Sequence, residues 1–454
     1  MPRYEFKEEG SSKFWEIDLS GTAFTTRWGR IGTQGQQKTQ TFPSAVEARK
    51  QHDALVQEKE RKGYVRVDAA AGSETPPGQA LEDAILAAPD NVDAYLVHAD
   101  WLQSQGDPRG ELIMLHHAAT QARGAEADAL AEQAAQLIAR HPSLLSEELE
   151  RAQAKVTTGR RQQTQELSVQ WHLGYIRSAR LARAEWESTF DMAATVKALL
   201  SHPSARFLRE LTLGIHHFES GSSYDSVIEA IVAAGGSRSL RSLFIGDFTY
   251  PGETEISWTL VGNVEPLYGV LPRLTSLRLR GGGAVLGKVH LPELREFVME
   301  SGGLPLSAVK SIARAHWPNL ERLEVWFGNP HYGAEGSAAD IRPILEGKGL
   351  PKLRSLGLCN VHFMERLCRV LPEAPVLSQL EELNLSMGTM TDRDTELLAE
   401  KAAAFRHLRR LDVSDNLLTE EGVARVARLC PDVQHQEQRN IEHYDGNRYV
   451  SVGE

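Results

Sequence analysis

Trp28 and Arg30 stand two positions apart near the start of the chain, with Gly29 between them. An indole is a flat apolar plate that can cover the exposed face of a terminal nucleotide, a surface that stacked duplex interior does not offer. A guanidinium stays charged and matches a phosphate through two parallel N–H donors. Glycines at 29, 32 and 35 would let backbone approach a ligand closely, and Lys38, Lys59, Arg61 and Lys62 could add phosphate contacts. The same residue types also serve a fold: Trp28 can fill a small core and Arg30 can pair with a carboxylate. Both uses stay open at the level of sequence.

The other reactive spacings are incomplete. Gly282 to Lys288 has the GxxxxGK spacing of a phosphate loop, but Val289 stands where the Ser or Thr that holds Mg²⁺ belongs, and no long helix follows. His116-His117 and His216-His217 have no carboxylate or Cys at ligand spacing. Neither HExxH nor GxSxG occurs. No metal or cofactor is expected, and the chain reads as non-enzymatic; an enzyme with an unrecognised site is the remote alternative.

The elements that must position Trp28 and Arg30 lie in a chain of 454 residues, long enough for two to four domains at roughly 100–200 residues each. Hydrophobic residues at 41% and charged residues at 24% are those of an ordinary folded protein. No apolar run reaches the length of a membrane helix, and the charged start lacks the apolar core of a secretory signal. Three Cys, at 359, 368 and 430, form neither an even set nor a CxxC pair, so a reducing cytoplasm is the expected location. A net charge of -11 argues against general coating of nucleic acid. That charge is unevenly spread: residues 1–66 carry a net +3, residues 67–150 a net -12 and residues 151–454 a net -2. Any nucleic-acid contact should therefore be local to the head and salt-sensitive.

In residues 1–66, Phe14 to Leu19 alternates as a strand, Ser20-Gly21 turns, and Ala23 to Arg27 is a second strand leading into Trp28. Lys38 to Phe42 is a third. Ser44 and Glu47 form a capping box for a helix whose inner stripe is Ala45, Ala48, His52 and Leu55. Glu58 and Lys62 pair at i,i+4, and Gly63 ends the helix. Trp28-Gly29-Arg30, Ile31-Gly32, Gly35-Gln36, Phe42, Glu47-Ala48, Glu58-Lys59 and Lys62-Gly63-Tyr64 together resemble a WGR domain, a family found in poly(ADP-ribose) polymerases and in bacterial proteins similar to the molybdate metabolism regulator. The resemblance spans nearly all of residues 1–66. In the polymerases it implies nucleic-acid contact, with the motif Trp against the sugar at a DNA end and the motif Arg near phosphate. His52 departs from the aromatic or aliphatic residue usual there, which touches packing more than binding.

Residues 67–79, with Gly72, Pro76, Pro77 and Gly78, are a linker. Residues 80–157 form a helical, acidic segment. Asp90 or Asn91 caps one helix, Gly106 ends it, and Asp107-Pro108 starts the next. The blocks Asp100-Trp101-Leu102 and Gly106 to Glu111 resemble a bacterial repeat-companion domain, with Trp101 and an Arg109–Asp100 contact fixing a helical hairpin. Its acidity is either solvated helix surface or a docking face.

Residues 158–454 are repetitive. LxxLxL triplets centre on Leu211, Leu243, Leu277, Phe297, Leu323, Leu356, Leu383 and Leu411, with a degenerate earlier copy at Ile176/Ala179/Leu181. Helical stripes lie between copies, as at Leu306–Ala315, Ala338–Leu345, Asp392–Phe405 and Glu420–Leu429. The pattern resembles a leucine-rich repeat solenoid without an asparagine ladder, since only Asn416 holds that place. The last part, including Tyr332-Gly333 and the closing Tyr449 to Glu454, also resembles a bacterial repeat family of unassigned function. Leu positions should point inward and alternate residues outward. The outward set includes Phe244, Arg278, Arg280, Glu324, Trp326, Asn384 and Asp412 on a concave face about 35 Å across. Aromatic residues with Arg suit a protein-binding surface.

The fold class is therefore α/β and multidomain: a small antiparallel sheet with a helix, a helical linker domain, and a parallel-stranded solenoid. The expected function is a non-enzymatic bacterial adaptor or regulator whose head binds nucleic acid, with DNA ends or nicks as candidates, and whose solenoid recruits a protein. A pure protein-interaction scaffold, in which the head binds protein, is the alternative.

Overall fold

The computed structural model describes residues 3–8, 11–31, 33, 35–67, 77–157, 163–440 and 447–453. The chain divides into two compact units, Met1–Ile85 and Leu86–Glu454.

In the first unit the strands Gln36–Thr41, Ala23–Arg30, Ser11–Ser20, Arg3–Glu8 and Val65–Val67 lie side by side in that order, each antiparallel to its neighbours. The helix Ala45–Arg61 starts at Ser44, whose side chain accepts the Glu47 N–H. Only half of the capping box forms, because the Glu47 carboxylate accepts from Gln51 Nε2 instead. Gly63 follows the helix at φ +83°, a backbone angle that favours glycine. Tyr4, Trp15, Ile17 and Phe24 form the core, with Phe42, Leu55 and Tyr64 against it. His52 takes a packing position, edge-on to Phe24 at 6.4 Å.

The second expected strand continues through Arg30 because Ser11–Ser20 is long enough to pair with all of it, with Trp15 opposite Trp28 and Lys13 opposite Arg30. The strands Arg3–Glu8 and Val65–Val67 were not expected. Tyr4 and Phe6, alternating with charged residues, were the available signal for the first. Gly32 and most of the expected linker lie outside the described residues. The linker's last three residues form the first turn of the helix Pro77–Ala87, where proline loses no hydrogen bond.

The second unit starts with the helices Val92–Ser104, Arg109–Gln121, Ala125–Arg140 and Glu147–Gln153. Asn91 caps the first, accepting the Asp93 N–H at 3.1 Å. Asp107 accepts the Arg109 N–H at 2.8 Å. The expected Arg109–Asp100 contact does not form. Arg109 is buried, pairs with Asp107 at 3.4 Å and lies over the Tyr175 ring at 5.6 Å. A side chain at the start of one helix reaches its own cap and the sheet more readily than an exposed residue of the preceding helix.

Eleven strands form the large sheet among the described residues. Leu167–His172 is antiparallel to Tyr175–Leu181, and every later pairing is parallel. All eight expected triplets are strands. Their central residues, from Leu211 through Phe297 to Leu411, stand in one register and are at most 1% exposed. The degenerate copy is also a strand, with Ala179 opposite Leu211. Helices such as Met192–Ser201, Asp225–Ala233, Leu306–Arg314 and Asp392–Glu400 fill the connections, and several end a few residues before their expected ends.

Leu145, Leu149 and Ala152 of the acidic segment share one core with Leu167 and Ile176 of the sheet. Asp90 pairs with Arg177 at 2.9 Å and Arg209 at 3.4 Å, so part of that segment's acidity answers arginines of the first repeats. At the other end Asn416 donates to the carbonyls of Leu385 and Val413 and accepts the Met390 N–H. Asn360 is a second buried asparagine, and it exchanges two hydrogen bonds with the Val452 backbone. Among the described residues no helix is long and apolar enough to cross a membrane.

Candidate functional site

The head sheet brings Trp28, Arg30 and Lys38 onto one face. Side chains directly opposite in an antiparallel pair share a face, roughly 5 Å apart. Trp28 opposes Trp15, Arg30 opposes Lys13, and Lys38 opposes Thr26, two residues before Trp28. Buried Trp15 and Phe24 mark this as the helix-covered face. Trp28 lies beyond the covered part and is 37% exposed. Arg30, Lys13 and Lys38 are exposed, and no carboxylate pairs with Arg30 among the described residues.

The two residues of the motif thus differ from their neighbours. Trp15 is the core indole, and Arg27 is the arginine that pairs, gripping buried Glu16 at 2.7 and 3.1 Å. Gly29 and Gly35 are required by the fold itself. A Cβ on Gly29 would meet the Gly35 Cα at 2.8 Å, and a Cβ on Gly35 would meet the Trp28 carbonyl oxygen at 2.6 Å and Phe14 at 2.7 Å. Gly35 comes this close to Trp28, Gly29 and Phe14 only because both positions lack side chains.

The four cations expected to join the motif separate. Lys38 joins it. The Lys59 ammonium sits over the rings of Trp15 at 5.5 Å and Tyr64 at 5.0 Å, and burial, then the Lys62 charge, push its pKa down. Lys62 is held by Glu58, whose carboxyl lies below the usual range because Lys62 donates to it. Arg61 donates to the Gln57 carbonyl at 3.3 Å and, two residues past Lys59, points about 200° around the helix from it. Lys13 was missed from sequence. Its position opposite Arg30 follows from strand register, and the pairing of the first two strands was the signal.

On the large sheet the outward row runs Arg180, Thr212, Phe244, Arg278, Val298, Glu324, Gly357, Asn384 and Asp412. Phe244 is half-buried, covered by arginines: the Arg278 guanidinium lies 4.6 Å and that of Arg280 5.5 Å from its ring centre. Both arginines grip Glu300, whose side chain is 2% exposed. Glu324 accepts from Arg322 at 2.8 Å and from Trp326 Nε1 at 3.0 Å. Asn384 and Asp412 accept the N–H groups of Ser386 and Ser414, so both close strand ends. Arg180, missed from sequence, pairs with Asp247 at 2.6 Å. Arg180, Phe248, Tyr250, Arg280 and Trp326 line a cavity of about 410 Å³. Asp247 and Glu253 also line it, and its two arginines are already paired, Arg180 with Asp247 and Arg280 with Glu300.

Nucleophile and metal chemistry are weakly provided. Burial raises the pKa of all three thiols, which keeps them protonated and unreactive. Among the described residues no three His, Cys, Asp or Glu stand together as a metal site.

Comparison with solved structures gives a protein from Bacteroides fragilis, 21% identical, with TM-score 0.53, covering 100% of this chain and 99% of that one. That likeness concerns the fold alone. An internalin from Listeria monocytogenes is 13% identical with TM-score 0.26, over 61% of this chain and 88% of that one. Among curated proteins, YehF of Escherichia coli K12 is 31% identical over 88 residues, 19% of this chain and 31% of that protein. The uncharacterised E. coli K12 protein YfeS is 32% identical over 62 residues, 14% of this chain and 25% of that protein. The chain spans a third or less of these relatives. The family match falls on the unit that carries the Trp28 and Arg30 face: residues 3–71 form a WGR domain.

Proposed function

We propose that this protein is a non-enzymatic adaptor whose WGR head holds a nucleic-acid end or nick and whose repeat array recruits a protein. One observation carries the reading. Trp28 is exposed on the same sheet face as Arg30, Lys13 and Lys38, while the structural jobs of a tryptophan and an arginine are done by Trp15 and Arg27. An indole free of the core and a guanidinium free of a carboxylate stack and neutralise phosphate without unfolding anything.

The array is read as a leucine-rich solenoid, supported by the period of its strands and the buried ladder at their centres. The helices of residues 80–157 are read as a repeat-companion segment, supported by the core that Leu145, Leu149 and Ala152 share with the first strands of the array. The surface around Phe244, Arg280 and Trp326 is the protein-binding part. Reducing, cytoplasmic conditions suit the three free thiols. On this reading the domains part at residues 66, 79 and 157.

The test uses the full chain and a fluorescent duplex in three forms: blunt-ended, nicked, and closed by hairpins at both ends. Blunt or nicked duplex should bind and the closed form should compete poorly. Trp28→Ala should weaken binding while leaving the melting temperature unchanged. Absence of binding to all three forms at low salt rejects the nucleic-acid reading and leaves the scaffold reading, in which the same face takes a protein.

A further inference from the structure

The connection between the strands Ser276–Arg280 and Glu296–Glu300 is the shortest between expected triplets, and among its residues no helix forms. The helix of the next repeat, Leu306–Arg314, therefore has one flank with no helix packed before it. The space left is a cavity of about 560 Å³. Its charged and imidazole lining is Lys288 and His290 from the short connection, Lys310 and Arg314 one turn apart on the helix, and His316 just beyond it, with no acidic residue. Val289, Pro292 and Ala315 add an apolar wall, and Ser311 adds a hydroxyl.

Two carboxylates stand at the edge of the basin, one on a lining backbone and one on a lining cation. Glu265 accepts the backbone N–H of Lys288 at 2.9 Å, and Asp340 stands 4.0 Å from Lys310 Nζ. The Lys288 ammonium and the Arg314 guanidinium have no carboxylate partner among the described residues, and neither do His290 and His316. The spacing of Gly282 to Lys288 is not that of a working phosphate loop, since the Lys288 N–H already faces Glu265. The motif's lysine nevertheless stands beside two further cations brought by a different repeat.

We propose that this basin binds a small organic polyphosphate, recognised by side chains. Three cations, of which only Lys310 is paired, with Asp340, suit a ligand of two or more negative charges, and the volume lies in the range of small-molecule sites, roughly 300–1,000 Å³. Phosphates would sit between Lys288, Lys310 and Arg314, and the apolar wall would take the organic part.

The experiment is calorimetric titration of the full chain with inorganic pyrophosphate and with ADP. Both should bind, and Lys288→Ala/Arg314→Ala should weaken them at least tenfold. Both side chains are exposed, so circular dichroism and melting should be unchanged. Lys197→Ala, on the distant helix Met192–Ser201, and Trp28→Ala, in the head, should leave both affinities intact. Equal binding of the two probes assigns recognition to phosphate alone, and tighter ADP adds the apolar wall; either supports the site. No heat with either probe, or affinity that survives the double substitution, overturns it. So does a DNA hairpin that needs Lys288 and Arg314 while pyrophosphate fails, since the basin would then belong to nucleic acid.

Discussion

Arg30 is the sharpest point at which to test the head. Its side chain is exposed and has no carboxylate partner among the described residues, so Arg30→Ala should change stability by less than about 0.5 kcal/mol. Its face holds three exposed cations, Lys13, Arg30 and Lys38. If each neutralises one phosphate of a duplex, log K falls against log salt with a slope of about -2.7. Raising salt from about 50 to 200 mM should then weaken binding about 40-fold. Arg30→Ala removes one contact, the slope becomes about -1.8, and the same step should weaken binding only about 12-fold. Trp28→Ala is neutral. It should lower affinity by the about 1–3 kcal/mol of one stacked base while leaving the slope at the wild-type value. Fluorescence anisotropy with a blunt-ended duplex at four salt concentrations measures all three slopes. Parallel lines for wild type and Arg30→Ala would refute the placement of Arg30 at phosphate, and a slope changed by Trp28→Ala would refute the stacking role.

Further expectations concern the array. Replacing Glu300 with Gln leaves Arg280 without its carboxylate and should cost about 2–3 kcal/mol, below the about 3–5 kcal/mol of a fully buried pair because Arg278 is 41% exposed and partly solvated; denaturant unfolding measures it. Asn416→Ala strands the Leu385 carbonyl and the Met390 N–H, while Val413 keeps its bond from Gln438, so thermal unfolding should show a loss of about 1–3 kcal/mol. Asn360→Ala removes both hydrogen bonds to Val452, and hydrogen exchange at residues 449–453 should rise at least tenfold; unchanged exchange would deny that contact a role. His116 accepts the Gly174 N–H at 3.0 Å, and burial holds its pKa down at about 4. Its depressed folded value favours the neutral ring. Its contribution is complete above the unfolded pKa of about 6.5 and is lost as pH falls towards 4, reaching about 2 kcal/mol at pH 5. A His116→Gln variant should lose that part of the pH dependence in denaturant titrations between pH 7 and 5.

The sequence by itself determined the local facts of this protein. The triplets at Leu211 to Leu411 become strands because alternation and spacing are properties of a few adjacent residues, and each copy repeats the instruction. Ser44 and Asn91 start helices for the same reason. The motif at Trp28 to Arg30 was legible as chemistry, though whether Trp28 or Trp15 filled the core was not. Tertiary structure decided that, because it put Trp15 in the core and left Trp28 37% exposed on the same face. It also placed Lys13 beside Arg30, turned Gly29 and Gly35 into packing positions, and moved Arg109 from Asp100 to Asp107 and Tyr175. The Glu300 clamp joins neighbouring repeats, and the Asn360 to Val452 contact joins residues 92 positions apart. Such contacts depend on register and chain return, which no local periodicity encodes. The cationic basin lies between the two cases: the short spacing before Phe297 was visible, but only packing showed that the missing helix leaves Lys288 facing Lys310 and Arg314.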